Sequence, residues 1–267
     1  MAAHRDTIIE QFTQQAPGYA DAPGINDGAL PAMLVRASAV GRQDSVLDVA
    51  CGAGVVTCAF AAAARTAVGL DLVEAMLERA RTRAAALGLG NVEFVAGDAD
   101  ALPFEDGTFD VVVSRFALHH LERPRAAVAE MARVCAPGGR VVVCDVTPEP
   151  AKAAAFNEME LLRDPSHVRS LTEDELHGLF AAAARRLAEP SITRIAFALE
   201  LEEQLARSFP ASAEDAAAFR RIFEAALDDD RLGVGAHRTE GRIEYAFPVS
   251  VFVSRARAGT GGERRGA

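Results

Sequence analysis

The sequence lacks the features that mark several classes of protein. It has 28 Lys and Arg against 38 Asp and Glu, a formal net charge of -10, whereas nucleic-acid binding normally rests on clustered cations. No stretch approaches the roughly 18 apolar residues of a membrane span, and no apolar signal-peptide core follows the first residues. These absences disfavour a nucleic-acid partner and a membrane anchor. We therefore expect a cytoplasmic protein.

Cysteine is also scarce, which bears on metal sites and disulfides. The four cysteines are Cys51, Cys58, Cys135 and Cys144, and they form no C-x-x-C pair. No histidine lies at a recognisable ligand spacing from any of them. The sequence therefore predicts neither a metal centre nor a disulfide.

The pattern that is present is an alternation of short apolar strands and helices in a chain of 267 residues. Strands are predicted at 45–50, 66–70, 91–96, 109–114, 139–145, 191–199 and 244–253. Helices are predicted at 53–64, 73–87, 124–135, 151–163 and 172–186. This alternation is typical of parallel βαβ units. We expect an α/β fold with a doubly wound, mostly parallel, seven-stranded sheet.

Three segments lie outside these units. Residues 1–40 are predicted to form N-terminal lid helices, one at 5–16 that ends where Pro17-Gly18-Tyr19 breaks it and one at 28–41. Within a main domain at 41–255, the polar helical stretch at about 200–243 is predicted to be a cap insertion over the site. Residues 256–267 are rich in Gly and Arg and predicted to be a disordered tail.

The first strand ends in the run V-L-D-V-A-C-G-A-G at 46–54, which opens the first helix of the sheet. Doubly wound sheets bind nucleosides at this turn, where glycines let a ligand approach the backbone. A dinucleotide fingerprint would continue to a third glycine, but that position holds Thr57. Asp48 would repel a pyrophosphate, whereas it suits a cationic ligand. S-adenosylmethionine, with an ammonium and a sulfonium group, fits this pattern.

Two further carboxylates follow the next strands. Asp71 ends the second strand, at a spacing suited to ribose hydroxyls, and Asp98 with the backbone of Ala99 follows the third, where they suit an adenine edge. Because parallel strands end at one edge of a sheet, Asp48, Asp71 and Asp98 are predicted to converge on one crevice.

The motifs V-L-D-V-A-C-G-A-G, V-G-L-D, G-D-A and F-D-V-V-V-S resemble those of class I S-adenosylmethionine-dependent methyltransferases, over about residues 40–146. S-R-F-A-L-H-H-L, P-G-G-R and G-R-I-E-Y-A-F-P resemble the small-molecule branch related to ubiquinone and menaquinone biosynthesis methyltransferases. The family usually has glycine where this chain has Ala50. The resemblance implies S-adenosylmethionine as cofactor and these cofactor-binding residues: Asp48, Ala50, Gly52, Gly54, Asp71, Leu72, Met76, Gly97, Asp98, Ala99, Ser114 and Arg115.

Methyl transfer needs proximity and, for poorly ionised acceptors, a base. The resemblance implies His120 as that base, because phosphoethanolamine methyltransferases share S-R-x-A-x-x-H and use the matching histidine with a lid tyrosine. Tyr19 is the candidate tyrosine and His119 the second candidate base. A structural role for either histidine stays open. The polar segment 163–169 is predicted either to line the acceptor pocket or to form a helix-capping turn.

Other functions remain as alternatives at this stage. Amino-methylating enzymes of nucleic-acid bases typically show [ND]-P-P-[YF] after the fourth strand, where this chain has Ser114-Arg115-Phe116-Ala117. Arsenite methylation is disfavoured because the cysteines form no thiol trio. A protein that binds S-adenosylmethionine without transferring its methyl group stays open. The sequence favours methyl transfer to a small-molecule acceptor, and it leaves open the acceptor atom and the oligomeric state.

Overall fold

The computed structural model describes residues 2–19, 28–208 and 210–258. The strands in the described part are β1 (Ser45–Val49), β2 (Thr66–Asp71), β3 (Val92–Ala96), β4 (Phe109–Arg115), β5 (Cys135–Val146), β6 (Ser191–Glu200), β7 (His237–Thr239) and β8 (Arg242–Arg255). The helices are α1 (Ala2–Tyr19), α2 (Ala29–Ser38), α3 (Val55–Ala61), α4 (Glu74–Ala86), α5 (Pro124–Val134), α6 (Ala153–Arg163), α7 (Glu173–Ala182), α8 (Leu201–Arg207) and α9 (Ala213–Asp229). A 3₁₀ turn lies at Leu118–His120.

The strands form one sheet in the order β3-β2-β1-β4-β5-β8-β6, and β7 pairs with β8. The first five strands of this order are parallel, whereas β8 runs antiparallel to both β5 and β6. The chain builds outward from β1 to β3 and then returns to place β4 beside β1. The carboxyl ends of β1 and β4 therefore flank the topological switch point of the sheet. The predicted doubly wound, mostly parallel α/β fold is confirmed, and β7 adds an eighth strand to the seven that the sequence predicts.

Helices cover both faces of the sheet, so neighbouring residues of one strand enter different cores. All five residues of β1 are buried. Val46 packs in a core that also contains Leu34 and Phe60 of the helices on one face. Leu47 belongs to the core on the other face, with Met131 of α5. Burial on both faces explains why the parallel strands read as continuous apolar runs.

Helix α1 packs beside the carboxyl edge of the sheet. Phe12 and Ala16 join a small apolar cluster with Val73 and with Met76 of α4. The sequence prediction placed a break at Pro17, but the helix continues to Tyr19. A proline removes only one backbone donor, and two helical residues follow it here, so the packing of the preceding turns outweighs the local preference.

The polar segment after β6 is only partly helical, which corrects the prediction for residues 200–243. It contains α8 and α9, but its last residues form β7 and a tight turn into β8. Glu240 and Gly241 both have positive φ, 50° and 85°. Two such residues form the turn that matches the twist of a β-hairpin. Gly241 was the signal in the sequence for this hairpin.

The predicted tail begins later than residue 256. Ala256 is buried, and its backbone bonds with Gly138 and Gly139. Arg257 donates from its side chain to the carbonyl of Leu187. Residues 259–267, where the rest of the predicted tail falls, lie outside the described residues. No helix in the described ranges is long and apolar enough to cross a membrane.

Candidate active site

The loop between β1 and α3 has a left-handed backbone at three positions. The φ angle is 57° at Ala50, 52° at Gly52 and 75° at Gly54. A Cβ at Gly54 would lie 2.8 Å from the Cβ of Ala80, so glycine permits the close approach of α4. A Cβ at Gly52 would meet no atom within 4 Å. Gly54 is therefore needed for the packing of α4 against the loop, whereas Gly52 faces open space. Ala50 has a left-handed conformation that glycine adopts at lower energetic cost.

Asp48 lies beneath this loop and is 1% exposed. Its Oδ2 accepts a hydrogen bond of 2.6 Å from the hydroxyl of Thr57. Burial raises the pKa of Asp48 to about 7, against the opposing effects of Thr57 and of the Arg115 charge. Thr57, which replaces the third glycine of a dinucleotide fingerprint, is thus the partner of the first carboxylate.

Asp71 joins the end of β2 to the same loop. Its Oδ2 accepts from the backbone N–H of Gly52 at 2.7 Å, and its Oδ1 accepts from Val73 N–H at 2.9 Å. Burial raises the pKa of Asp71, although these two donors act in the opposite direction. Asp71 therefore fixes the loop after β1 and also borders the cavity described next.

A first cavity opens at the carboxyl ends of β1, β2 and β3. It is lined by residues from four loops and from α1: Ile8, Phe12, Ala50, Leu70, Asp71, Leu72, Val73, Met76, Gly97, Asp98, Ala99, Ala117, His120 and Leu121. Asp98 forms an ion pair of 3.0 Å with Arg5 of α1. The walls are largely apolar, and the two acidic side chains lie along one side.

A second cavity lies on the other side of Phe12 and His120, which line both cavities. Its other lining residues come from α1, α6, α8 and the ends of β4, β5, β6 and β8: Gln15, Phe116, His119, Val146, Glu160, Arg163, Asp164, Phe197, Leu199, Gln204, Ser208 and Phe247. Glu160 is buried, and it forms an ion pair at 2.5 Å with the partly buried Arg163. The second cavity therefore has aromatic walls, and its charged lining residues include the ion pair of Arg163 and Glu160.

His119 is held by a carboxylate at the end of β5. Its Nδ1 lies 2.6 Å from Oδ1 of Asp145, whose oxygens also accept from the backbone N–H groups of Leu118 and Val146. Burial disfavours the charged imidazole, but Asp145 outweighs it and raises the pKa of His119. The pKa of Asp145 is lowered in turn. This pair therefore favours a charged His119.

His120 has the opposite electrostatic character. Its ring centroid lies 4.2 Å from that of His119 and 5.0 Å from that of Phe12. Burial, followed by the charge of His119, lowers the pKa of His120 to about 4. Its Nδ1 faces Ser166, while Nε2 forms no hydrogen bond with the described residues. At neutral pH the ring is uncharged and stands between the two cavities.

The structure brings together seven of the twelve predicted cofactor residues at the first cavity: Ala50, Asp71, Leu72, Met76, Gly97, Asp98 and Ala99. Asp48, Gly52 and Gly54 lie in or under the loop without lining this cavity. Ser114 donates to the carbonyl of Val49, and the Arg115 guanidinium lies 5.2 Å from the Phe116 ring centroid. The side chain of Tyr19 lies outside the described part of the structure.

Sequence reasoning missed several residues at these cavities. Phe12 and Ile8 reach the first cavity because α1 packs there, which no local pattern indicates. Asp145 ends a strand, as Asp71 does, so the same strand-end rule would have found it. No group of three or more His, Cys, Asp or Glu side chains in the described residues could hold a metal ion.

Comparisons with known proteins point to one family. A family model described as a methyltransferase domain matches residues 47–143. An uncharacterized methyltransferase, YcgJ of Bacillus subtilis, is 35% identical over 173 residues, which cover 64% of this chain and 68% of YcgJ. A demethylmenaquinone methyltransferase of Clavibacter sepedonicus is 40% identical over 125 residues, 47% of this chain and 50% of that protein.

Solved structures agree with the sequence matches. The crystal structure of YcgJ superposes with a TM-score of 0.78 and 27% identity, covering 86% of this chain and 98% of that one. The [4+2]-cyclase SpnF has a TM-score of 0.60 at 19% identity over 86% of this chain and 82% of its own, a likeness of fold alone. The family match and the extent of the likeness to YcgJ show that the chain belongs to the class I S-adenosylmethionine-dependent methyltransferases.

Proposed function

We propose that the protein transfers a methyl group from S-adenosylmethionine in the first cavity to a small molecule in the second. The observation that carries this proposal is that the two cavities share Phe12 and His120. Because the two cavities adjoin at these side chains, a ligand in each can bring a donor carbon and an acceptor atom close together. Proximity of this kind supplies a large part of the acceleration of a bimolecular reaction.

The residues of the first cavity fit this cofactor. Leu72, Met76 and Ala99 offer apolar surface for a nucleoside, and Asp71 and Asp98 offer acceptors for its hydroxyl and amino groups. The open space in front of Gly52 allows a ligand to approach the backbone. Asp48, buried below the loop, complements a ligand with two positive charges.

The second cavity fits a small acceptor with apolar surface. Phe116, Phe197 and Phe247 supply aromatic walls, and residues of α1 and α8 border the space. A concave site with aromatic walls suits a small molecule better than a nucleic acid or a protein chain. With a formal net charge of -10, the chain also repels polyanions.

When bound, S-adenosylmethionine supplies a methyl carbon that is already activated by the sulfonium. The task of the chain is to align the acceptor, exclude water and receive a proton where the acceptor carries one. Phe12 packs edge-on against His120 and shields it. His120 is neutral at pH 7, so its Nε2 lone pair receives the acceptor proton as the acceptor forms its bond to the methyl carbon. S-adenosylhomocysteine and the methylated product result.

The test has two stages. Calorimetry with S-adenosylhomocysteine first measures cofactor binding in the wild type and in Asp98→Asn, with the exposed Asp228→Asn as matched control. The wild type and the control should bind, whereas Asp98→Asn should bind more weakly. Release of S-adenosylhomocysteine from S-adenosylmethionine is then followed with a small-molecule cell extract. Binding without release, for every extract fraction, would favour a protein that binds the cofactor without transferring methyl.

A further inference from the structure

The polar segment Asp164–Arg169 follows α6 and packs behind the two histidines. Asp164, Ser166 and His167 are all buried, with at most 3% exposure. The backbone N–H groups of Val168 and Arg169 both donate to the carbonyl of His119, at 2.9 and 3.0 Å. The segment therefore binds the 3₁₀ turn that carries His119 and His120. The proposed reaction does not by itself explain why this segment is polar and buried.

The hydrogen bonds of Ser166 determine which atoms can carry protons here. The Ser166 hydroxyl donates to Oδ1 of Asp164 at 2.6 Å, and the same Oδ1 accepts from Ser166 N–H at 2.9 Å. Asp164 is ionised, because the charge of Arg163 and the two hydrogen bonds from Ser166 outweigh the effect of burial and lower the pKa of Asp164. A carboxylate only accepts, so the single hydroxyl proton of Ser166 is committed to Asp164.

The Ser166 hydroxyl oxygen can therefore face His120 only as an acceptor. It lies 3.1 Å from Nδ1 of His120, and the Ser166 carbonyl oxygen also lies 3.1 Å from that nitrogen. Two acceptors that converge on one ring nitrogen require a proton on it. The other neutral tautomer would set a nitrogen lone pair against two oxygen atoms, without a hydrogen bond.

We propose that Asp164 and Ser166 are positioning residues that hold His120 as the neutral tautomer with its proton on Nδ1. The Nε2 lone pair then lies at the wall shared by the two cavities. His119, whose ring lies 4.2 Å away, lowers the pKa of His120 when it is protonated, and so keeps His120 neutral until a proton leaves the acceptor. The significance for catalysis rests on the proposed function, whereas the tautomer itself can be measured without cofactor or acceptor.

Long-range ¹H–¹⁵N spectra of the full chain, labelled with ¹⁵N-histidine, test this at pH 7. His120→Gln identifies the His120 signals by their loss. The wild type should show a protonated Nδ1 and an unprotonated Nε2. A protonated Nε2 in the wild-type spectrum would overturn the proposal, whatever the variants do.

Two variants test the cause. Asp164→Ala frees the Ser166 hydroxyl to donate to Nδ1, so the Nε2–H tautomer should gain about threefold to tenfold, the effect of one ordinary hydrogen bond. Adding Ser166→Ala to Asp164→Ala should restore the Nδ1–H tautomer, because only the carbonyl acceptor remains. Loss of packing alone would not restore the Nδ1–H tautomer. If the double variant fails to restore it, the proposal is contradicted.

Asp164→Asn keeps a side-chain acceptor for Ser166 N–H and provides the test if Asp164→Ala does not fold. It should shift the tautomer in the same direction by a smaller amount, and an unchanged tautomer would count against the role of Asp164. The readouts also separate the two proposals. Full S-adenosylhomocysteine release by His120→Gln would refute the base but leave the tautomer result intact.

Discussion

Asp71 offers the sharpest test of how the loop and the cofactor site depend on one another. Its two oxygens accept from Gly52 N–H and Val73 N–H, at 2.7 and 2.9 Å, and the side chain borders the first cavity. Asp71→Ala removes both acceptors, whereas Asp71→Asn keeps one of them and removes the charge. The two variants therefore separate the hydrogen bonds from the charge.

The hydrogen bonds of Asp71 and its buried charge act on stability in opposite directions: the bonds stabilise the folded chain, and the charge destabilises it. Hydrogen bonds to a charged group contribute about 1.5 to 3 kcal/mol each, and water from the adjacent cavity can replace part of that. Asp71→Ala should therefore lower the free energy of unfolding by about 3 kcal/mol. Burial raises the pKa of Asp71, so its ionised form is less favourable in the folded than in the unfolded chain. Both variants remove that penalty, but Asp71→Asn also keeps one acceptor for the two backbone N–H groups, and we expect its change to lie within about 1 kcal/mol.

Cofactor binding should respond differently from stability. A neutral amide is a weaker acceptor for ribose hydroxyls than a carboxylate, so Asp71→Asn should weaken binding of S-adenosylhomocysteine by about tenfold or more. Urea unfolding and calorimetry on the same preparations measure the two quantities, with Asp228→Asn as control. If Asp71→Asn binds S-adenosylhomocysteine as tightly as the wild type, Asp71 does not contact the cofactor. If Asp71→Ala is as stable as the wild type, the loop does not depend on its two hydrogen bonds.

Four further predictions use the same assays. Gly54→Ala should lower the free energy of unfolding by about 2 to 4 kcal/mol, because a Cβ there meets Ala80 at 2.8 Å. Gly52→Ala should cost only about 1 to 2 kcal/mol but abolish calorimetric cofactor binding; equal stability losses would contradict this assignment. Because the pKa of Asp48 is about 7, S-adenosylmethionine should bind more tightly at pH 8 than at pH 6. The pH dependence should be weaker for S-adenosylhomocysteine, whose sulfur is uncharged. A dissociation constant of S-adenosylmethionine that does not change with pH would refute the role of Asp48. The pKa of His120 falls from 6.5 to about 4 on folding, so the unfolded chain takes up the extra proton and stability should fall as the pH drops from 6.5 to 4. Urea unfolding across that range should show a loss of about 3 kcal/mol that His120→Gln removes, and an equal loss in the variant would exclude His120 as its source.

The sequence predicted the parts of the site that follow from local pattern. Asp71 and Asp98 could be placed because the ends of parallel strands share one edge, and the loop could be placed by its glycines. The hairpin at Glu240 and Gly241 was missed because the surrounding residues are polar and also suit a helix. The Ala50 departure from the family pattern became interpretable only from its φ of 57°.

The second cavity could not be predicted, because distant packing makes it. Phe12 and Glu160 reach it from helices that share no motif with the loops of the sheet. The bond between Ser166 and His120 joins residues 46 positions apart. In the same segment Asp164 accepts from Ser166 N–H, as in a local turn, and Arg163 and Asp164 line the second cavity, so a turn and a cavity wall are compatible interpretations of its sequence.

The carboxylates near the ends of the strands both stabilise the fold and determine the charge of the site. Asp48, Asp71 and Asp145 are each buried, and each accepts a hydrogen bond that fixes the turn after its strand or the helix that follows. His119 lowers the pKa of Asp145, whereas burial raises the pKa values of Asp48 and Asp71, and the charge of Arg115 offsets only part of that effect at Asp48. An uncompensated buried carboxylate costs stability unless a cation arrives. The site that these acids order is therefore also the place where a positively charged ligand would recover that cost, and it lies beside the neutral imidazole of His120.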